Sequence, residues 1–389
     1  MSDANRTERR RDLLRNNTVP IMFLAISAIV IVLADLELSR VSSDVSERVF
    51  RNLFLVLSLI IPIVAGLGLN FGIVLGAMAG QAGLIFVQNG EIGGLTGLFV
   101  AAAGSIPLAI LLGYLTGLLL NRTKGREMIT GIILGFFANG IYQFVFLILA
   151  GPVIPIHAGD VVLTKIVDGQ AVPLMGLRNT VNLTTVEAAL DYPLEHFAST
   201  SWVREAVASV FGDRFTGSIP IRFGDTKWAS IPILTLLVNV GLCLGLTWFL
   251  RTKLGQDLRA VGQDSHVAEV SGIRVDRCRV IAIIISMILA AFGQIIFLQN
   301  MAVMNTYQSH EQVGFYAIAA LLVGGATVSR ATIWNAIVGT VLFHLLIVVV
   351  STAGARLDSP QVGEYLREFF AFAVIGVTLA LHAWRTKRR

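Results

Sequence analysis

The chain has 389 residues, of which 55% are hydrophobic and 14% charged, with a mean hydropathy of +0.74. Those proportions exclude an ordinary soluble domain and point to a polytopic membrane protein. The formal charge of +5 sits in loops and ends, so it bears on orientation in a bilayer and gives no reason to expect nucleic acid. Two cysteines, Cys243 and Cys278, supply neither a disulfide framework nor a zinc site.

In chain order, residues 1–19 are arginine-rich and read as a cytoplasmic tail. The apolar run Pro20–Leu36 is long enough to cross about 30 Å of hydrocarbon and reads as an uncleaved first span, because no small-residue cleavage site follows Ala34. Further apolar runs lie at about 52–69, 71–88, 94–120, 128–150, 229–250, 280–299, 314–328, 332–351 and 367–384. The eighth of these ten is short enough to be partly re-entrant. Arg122, Lys124 and Arg126 follow the fourth span, the basic stretch Arg251–Arg279 the sixth, Arg330 the eighth, and Arg385, Lys387, Arg388 and Arg389 the tenth. Positive residues on alternate loops place both termini in the cytoplasm.

Between the fifth and sixth spans, 151–228 carries eight acidic and six basic residues with prolines at 152, 155, 173, 193 and 220. It reads as an extracytoplasmic insert with a helical-looking piece near Thr184–Phe197, resting on the membrane domain or on a partner because no cysteine staples it. The expected fold is an all-α membrane protein of about ten transmembrane helices. Residues 20–150 hold spans one to five, 229–384 spans six to ten with a cytoplasmic loop at 251–279, and 385–389 a cytoplasmic tail. Spans two to five and seven to ten are offset by an odd number, which is compatible with an inverted repeat.

Glycines 72, 76 and 80, followed by 83, and the pair Gly131 and Gly135, lie at spacings that let helix backbones approach closely. No Asp, Glu, Lys or Arg falls in the interior of any expected span. The residues left there are neutral: Asn70, Gln81, Asn139, Gln143, Gln294, Gln299, Asn335 and His344. Singly, buried amides tie helices together. As a set they suit a path for a neutral, hydrogen-bonding solute, with Phe71, Phe136, Phe137 and Phe297 as flat apolar walls. No phosphate-cradling Gly-rich loop, metal-ligand spacing or nucleophile motif is present, so the chain reads as neither an ATPase nor another enzyme, and no bound metal or cofactor is expected.

The polar stretch 251–279 fits a helix of roughly two turns between two loop arms, started by Gln263-Asp264 and stopped by Gly272, with Val267, Ala268 and Val270 as an apolar face. Too short to stand alone, it needs a surface to lean on.

Within that stretch, Leu258–Gly262, Ala268 and Ser271-Gly272-Ile273 resemble the coupling loop of permease subunits of bacterial ABC importers, in the family serving branched-chain amino acids, ribose-like sugars and nucleosides. Gly314–Gly325 is similar to the stretch after that family's seventh span. Glu127–Thr130 with Ile132–Phe136, and Leu69–Gly72, look like its simple-sugar and nucleoside branch. Ser329-Arg330-Ala331 in place of a glycine-rich turn, and the long insert, depart from the pattern.

The resemblance implies a permease subunit of an ATP-driven importer for a neutral sugar or nucleoside-like solute, in the inner membrane of a bacterium. A separate ABC ATPase holding ATP-Mg, a second permease subunit and an extracytoplasmic binding protein would be its partners. It implies a substrate path through Asn70, Phe71, Gln81, Phe136, Asn139, Gln143, Gln294 and Phe297, and ATPase coupling through Arg259, Asp264, His266, Val267, Glu269 and Arg274. The alternatives are an ATP-independent transporter or facilitator, and a scaffold or receptor acting through its insert.

Overall fold

A computed structural model describes residues 18–156, 161–167, 170–191, 218–223, 226–356 and 360–386. The tail before residue 18, residues 192–197 of the helical-looking piece, His157, His196 and the terminal 387–389 lie outside the described residues.

Helices dominate. In order they are α1 (Thr18–Leu33), α2 (Leu38–Ser58), α3 (Ile60–Val64), α4 (Ile73–Asn89), α5 (Gly94–Arg122) and α6 (Glu127–Phe144), the last extended by a wider turn over Val145–Leu149. Then come α7 (Ile233–Phe249), α8 (Lys253–Gln263), α9 (Ser265–Val270), α10 (Val275–Met301), α11 (Ser309–Val323), α12 (Ile333–Gly354) and α13 (Pro360–Thr386). Among the described residues four helices, α5, α6 with its extension, α10 and α12, are long and apolar enough to cross a membrane. A fifth results if α7 and α8, bent by 75°, count as one. Several expected boundaries move: the span at 52–69 becomes α2 and α3, broken at Leu59, and the one at 314–328 begins earlier, at Ser309.

Among the described residues six short strands correct the all-α expectation: β1 (Val162–Val167), β2 (Gln170–Leu177), β3 (Thr180–Asn182), β4 (Ser218–Phe223), β5 (Thr226–Pro232) and β6 (Val303–Asn305). They form three two-stranded pairs, β1 with β2, β3 with β6 and β4 with β5. Residues 184–191, expected to be helical, are turns. Strand β1 forms because β-branched residues recur through Val162–Val167 and fit a pleat better than a helix.

The chain divides into two compact units. The larger comprises Phe50–Ile219 and Ile231–Gly314. Its centre is α4, α5 and α10, in contact because small residues remove the barrier between backbones. A Cβ on Gly76 would lie 2.6 Å from the Met287 carbonyl, and Cβ atoms on Gly113 and Gly117 would lie 2.9 Å from the Cα atoms of Ile284 and Val280. Gly80 abuts the Ala291 carbonyl and Gly83 that of Ala101. The insert's described residues 161–191 belong to this unit. Val162, Leu177, Val181 and Leu183 are buried in one cluster with Leu84, Leu98, Tyr142 and Leu298. Pairing of Val181 with Met304 joins the insert to the segment after α10.

In the smaller unit, Met1–Val49, Pro220–Ser230 and Phe315–Arg389, α1 and the start of α2 pack on α12 through Leu36, Val41, Val348 and Val349. Thr332 and Asn335 form a reciprocal cap at the start of α12, and Asn335 Nδ2 donates to the Gly324 carbonyl at 2.7 Å. Asn335, one of the neutral polar residues, therefore serves as a cap.

Candidate functional site

Gln81 and Asn139, distant in sequence, meet around a residue that the sequence did not single out. His310 is fully buried, with Nδ1 2.8 Å from Gln81 Oε1 and Nε2 3.0 Å from Asn139 Oδ1. Asn139 Nδ2 donates to the Glu311 carboxylate. The Tyr142 ring lies 4.8 Å from that of His310, centroid to centroid, and closes the cluster on its apolar side. Helix α4 supplies Gln81, α6 supplies Asn139 and Tyr142, and the first turn of α11 supplies His310 and Glu311. A carboxylate in a helix's first turn is favoured by the macrodipole, and an acidic residue just before an apolar run is a start signal that the sequence does contain.

Among the described residues the remaining path candidates share no hydrogen bond with this cluster. Asn70 and Phe71 are buried in the break between α3 and α4, where Asn70 Nδ2 reaches Ser286 Oγ at 3.5 Å and Asn70 Oδ1 is buried without a partner. Gly131 lets α6 approach that break, since its Cβ would sit 3.3 Å from the Gly72 nitrogen. Gln294 is fully buried on α10 with neither amide atom hydrogen-bonded. Gln143 is half-buried. Phe297 belongs to a different set: the Arg51 guanidinium lies 5.7 Å from its ring, Arg51 donates to Asn300 at 3.0 Å, and Asn300 donates to Asp191 at 2.5 Å. Phe136 is 62% exposed on the outer face of α6, with Phe137 beside it. Gln299 holds the insert, accepting from the Leu190 nitrogen at 3.2 Å.

The second place of interest is the short helix α9. Asp264 caps it, Oδ1 accepting from the His266 and Val267 nitrogens at 2.9 and 3.0 Å. Gly272, at φ +85°, ends the turn that follows. One expected loop arm is instead α8, capped by Thr252 and seated on Leu258 and Val261. The apolar face is split: Ala268 is buried, whereas Val267 and Val270 are 58% and 77% exposed. Arg259, Asp264, His266, Glu269 and Arg274 are all exposed around them. So α9 is held from one side and presents two valines ringed by charge on the other. Behind it, Gly262 abuts the Val64 carbonyl, and a Cβ on Gly66 would come within 2.9 Å of Gly262 Cα, so α8 bears on the break that carries Asn70 and Phe71.

The α5–α6 connection is tied to the start of α10. Arg279 and Glu127 form a buried ion pair at 2.5 Å, and Lys124 and Asp276 an exposed one at 2.8 Å. Cys278, on the same turn of α10, is a buried free thiol.

The family described as "Branched-chain amino acid transport system / permease component" matches residues 49–379. The chain belongs to that family. Among curated proteins, the permease is 26% identical to the xylose transport system permease protein XylH of Haemophilus influenzae over 157 residues, covering 40% of this chain and 39% of that protein. It is 29% identical to the guanosine ABC transporter permease protein NupQ of Bacillus subtilis over 133 residues, covering 30% and 41%. It is 23% identical to the nucleoside ABC transporter permease protein NupB of Lactococcus lactis over 160 residues, covering 39% and 41%. The matched part of the permease thus spans about 40% of the length of these relatives. Family and apolar helices together make it a multi-pass membrane protein.

Proposed function

We propose that this permease component forms part of the translocation path of an ATP-driven importer for a neutral sugar or nucleoside-like solute. The observation that carries the reading is α9: a capped two-turn helix with an exposed pair of valines and a charged rim, preceded by α8, whose Gly262 lies against Val64 and Gly66 at the break before α4. A rigid helix seated in a partner's groove can turn that partner's closure into rigid-body movement of the spans behind it. Family membership and relatives named for xylose, guanosine and nucleosides support the solute class.

In this reading the chain lies in a bacterial cytoplasmic membrane with both termini and α9 in the cytoplasm. Its partners are an ABC ATPase that binds ATP-Mg, a second permease subunit, identical or paralogous, and an extracytoplasmic binding protein. Asn70, Phe71, Gln81, Asn139, Gln143 and Gln294 face the solute's route, Phe136 faces the second subunit, and Phe297 supports the outer end. Arg259, Asp264, His266, Val267, Glu269 and Arg274 make or frame the ATPase contact.

Reconstitution of the purified chain into liposomes tests this. Solute uptake should appear only when the ATPase and ATP are supplied; uptake by the chain alone would replace this reading with an ATP-independent facilitator.

A further inference from the structure

The side chains running from Gln81 through His310 and Asn139 to Glu311 have hydrogen-bonding capacity that they do not use on one another. Asn139 Nδ2 donates to Glu311, whose carboxylate only accepts, and this fixes Asn139 Oδ1 toward His310. A neutral imidazole has one N–H, which Asn139 Oδ1 takes from Nε2. His310 Nδ1 is then an acceptor facing Gln81, so the Gln81 amide must turn its nitrogen toward the ring, since amide orientation is set by such networks. Its oxygen then occupies the position now held by Nε2, a buried atom with no partner. Either way the inner end of the chain has one unmet polar atom, although Gln81 is fully buried. At the outer end Glu311 is half-buried and, among the described residues, takes one hydrogen bond, from Asn139.

The surroundings narrow what could complete this set. Within two turns back along α6 from Asn139, Ile133, Phe136 and Phe137 are exposed. A carboxylate with a single hydrogen bond is costly against hydrocarbon, so the face bearing Glu311 meets water or protein. Acceptors predominate there, which suits a ligand rich in O–H donors and opposes one that carries negative charge.

We propose that Glu311, Asn139, His310 and Gln81 form a hydrogen-bonding station for the transported solute, accepting neutral hydroxyl-bearing molecules through the Glu311 carboxylate and turning away anions. This rests on the importer reading above. Glu311 is the ligand-touching residue; His310 is a positioning residue that holds the Asn139 amide in its donating orientation toward Glu311.

Two measurements separate this proposal from the reading on which it rests. Uptake of radiolabelled ribose, xylose and guanosine is compared in cells with and without the gene, and uptake that ignores the gene defeats the importer reading and the station with it. Binding of the same three probes, and of ribose 5-phosphate, is measured by saturation-transfer NMR on the permease–ATPase complex in nanodiscs, without the binding protein. The wild type should bind at least one neutral probe and bind ribose 5-phosphate at least tenfold more weakly than ribose, as expected for a charge facing a carboxylate. Glu311→Gln should weaken the neutral probe about tenfold, roughly one charge-assisted hydrogen bond, with the amount of complex unchanged. In Glu311→Gln the gap between ribose and ribose 5-phosphate should close. His310→Gln should weaken binding but keep the gap. Gene-dependent uptake together with wild-type binding by Glu311→Gln, or equal binding of ribose and its phosphate by the wild type, overturns the station alone. Failure of both Glu311→Gln and Glu311→Ala to assemble assigns Glu311 to folding, and also overturns it.

Discussion

Arg279 and Glu127 show what a single side chain contributes. Their ion pair is nearly buried, so removing one partner leaves a charge without compensation. Glu127→Ala is expected to destabilise the permease by about 3 kcal/mol, the scale for breaking a buried pair, read as a lowered melting temperature in detergent. Glu269 and Arg259 are exposed, so their loss should leave the fold intact. Glu269→Ala and Arg259→Ala are expected to lower solute-stimulated ATP hydrolysis about tenfold, or about 1.4 kcal/mol of docking free energy, at unchanged membrane level. Full stimulation in both variants would remove them from the contact. The cap by Asp264 was legible in the sequence because its partners lie two and three residues away. The bond between His310 and Gln81 was not, because 229 residues separate them and no local pattern encodes the meeting. Asn335 and Gln299 carried the same polar signal as the path candidates, yet one caps a helix and the other anchors the insert. Residue type alone does not separate those uses.

At the scale of elements, periodicity and glycine spacing were informative. Gly76 and Gly80 seat α4 on α10 as their spacing suggested, whereas Gly83 serves α5. Gly80→Leu is expected to force those two helices apart at the Ala291 carbonyl, destabilising the chain by about 1–3 kcal/mol or more, since overpacking a close contact has no void to fill. Thermal melting checks it, and a Gly104→Leu variant, with open space around it, is the control. Helix ends were less legible. Hydropathy marks where the apolar run lies, but α2 and α11 begin in polar sequence held by packing of Val41 and burial of His310. The strands of the insert were missed although Asp168-Gly169, a recognised hairpin dipeptide, follows the β-branched run Val162–Val167. Prolines and mixed charge pointed to an extracytoplasmic insert, and the only element read in it was a helical-looking piece near Thr184–Phe197.

For the whole molecule, the insert and the helices of the larger unit share one apolar cluster, so they should fold together. Val181→Asp would bury a carboxylate there. It is expected to reduce the amount of permease in the membrane fraction, measured by immunoblotting, together with uptake; normal levels would separate the insert from the fold. The sequence by itself determined that the chain spans a membrane, that apolar runs coincide with the four long apolar helices, and that a short helix capped by Asp264 lies within 251–279. Each of those follows from composition or from interactions within a few residues. Only the tertiary structure decided which amides meet, that His310 and Glu311 join them, and that Val267 and Val270 face outward while Ala268 turns in. Those outcomes depend on contacts between helices far apart in the chain, and free energy of that kind has no imprint at the spacing of neighbouring residues.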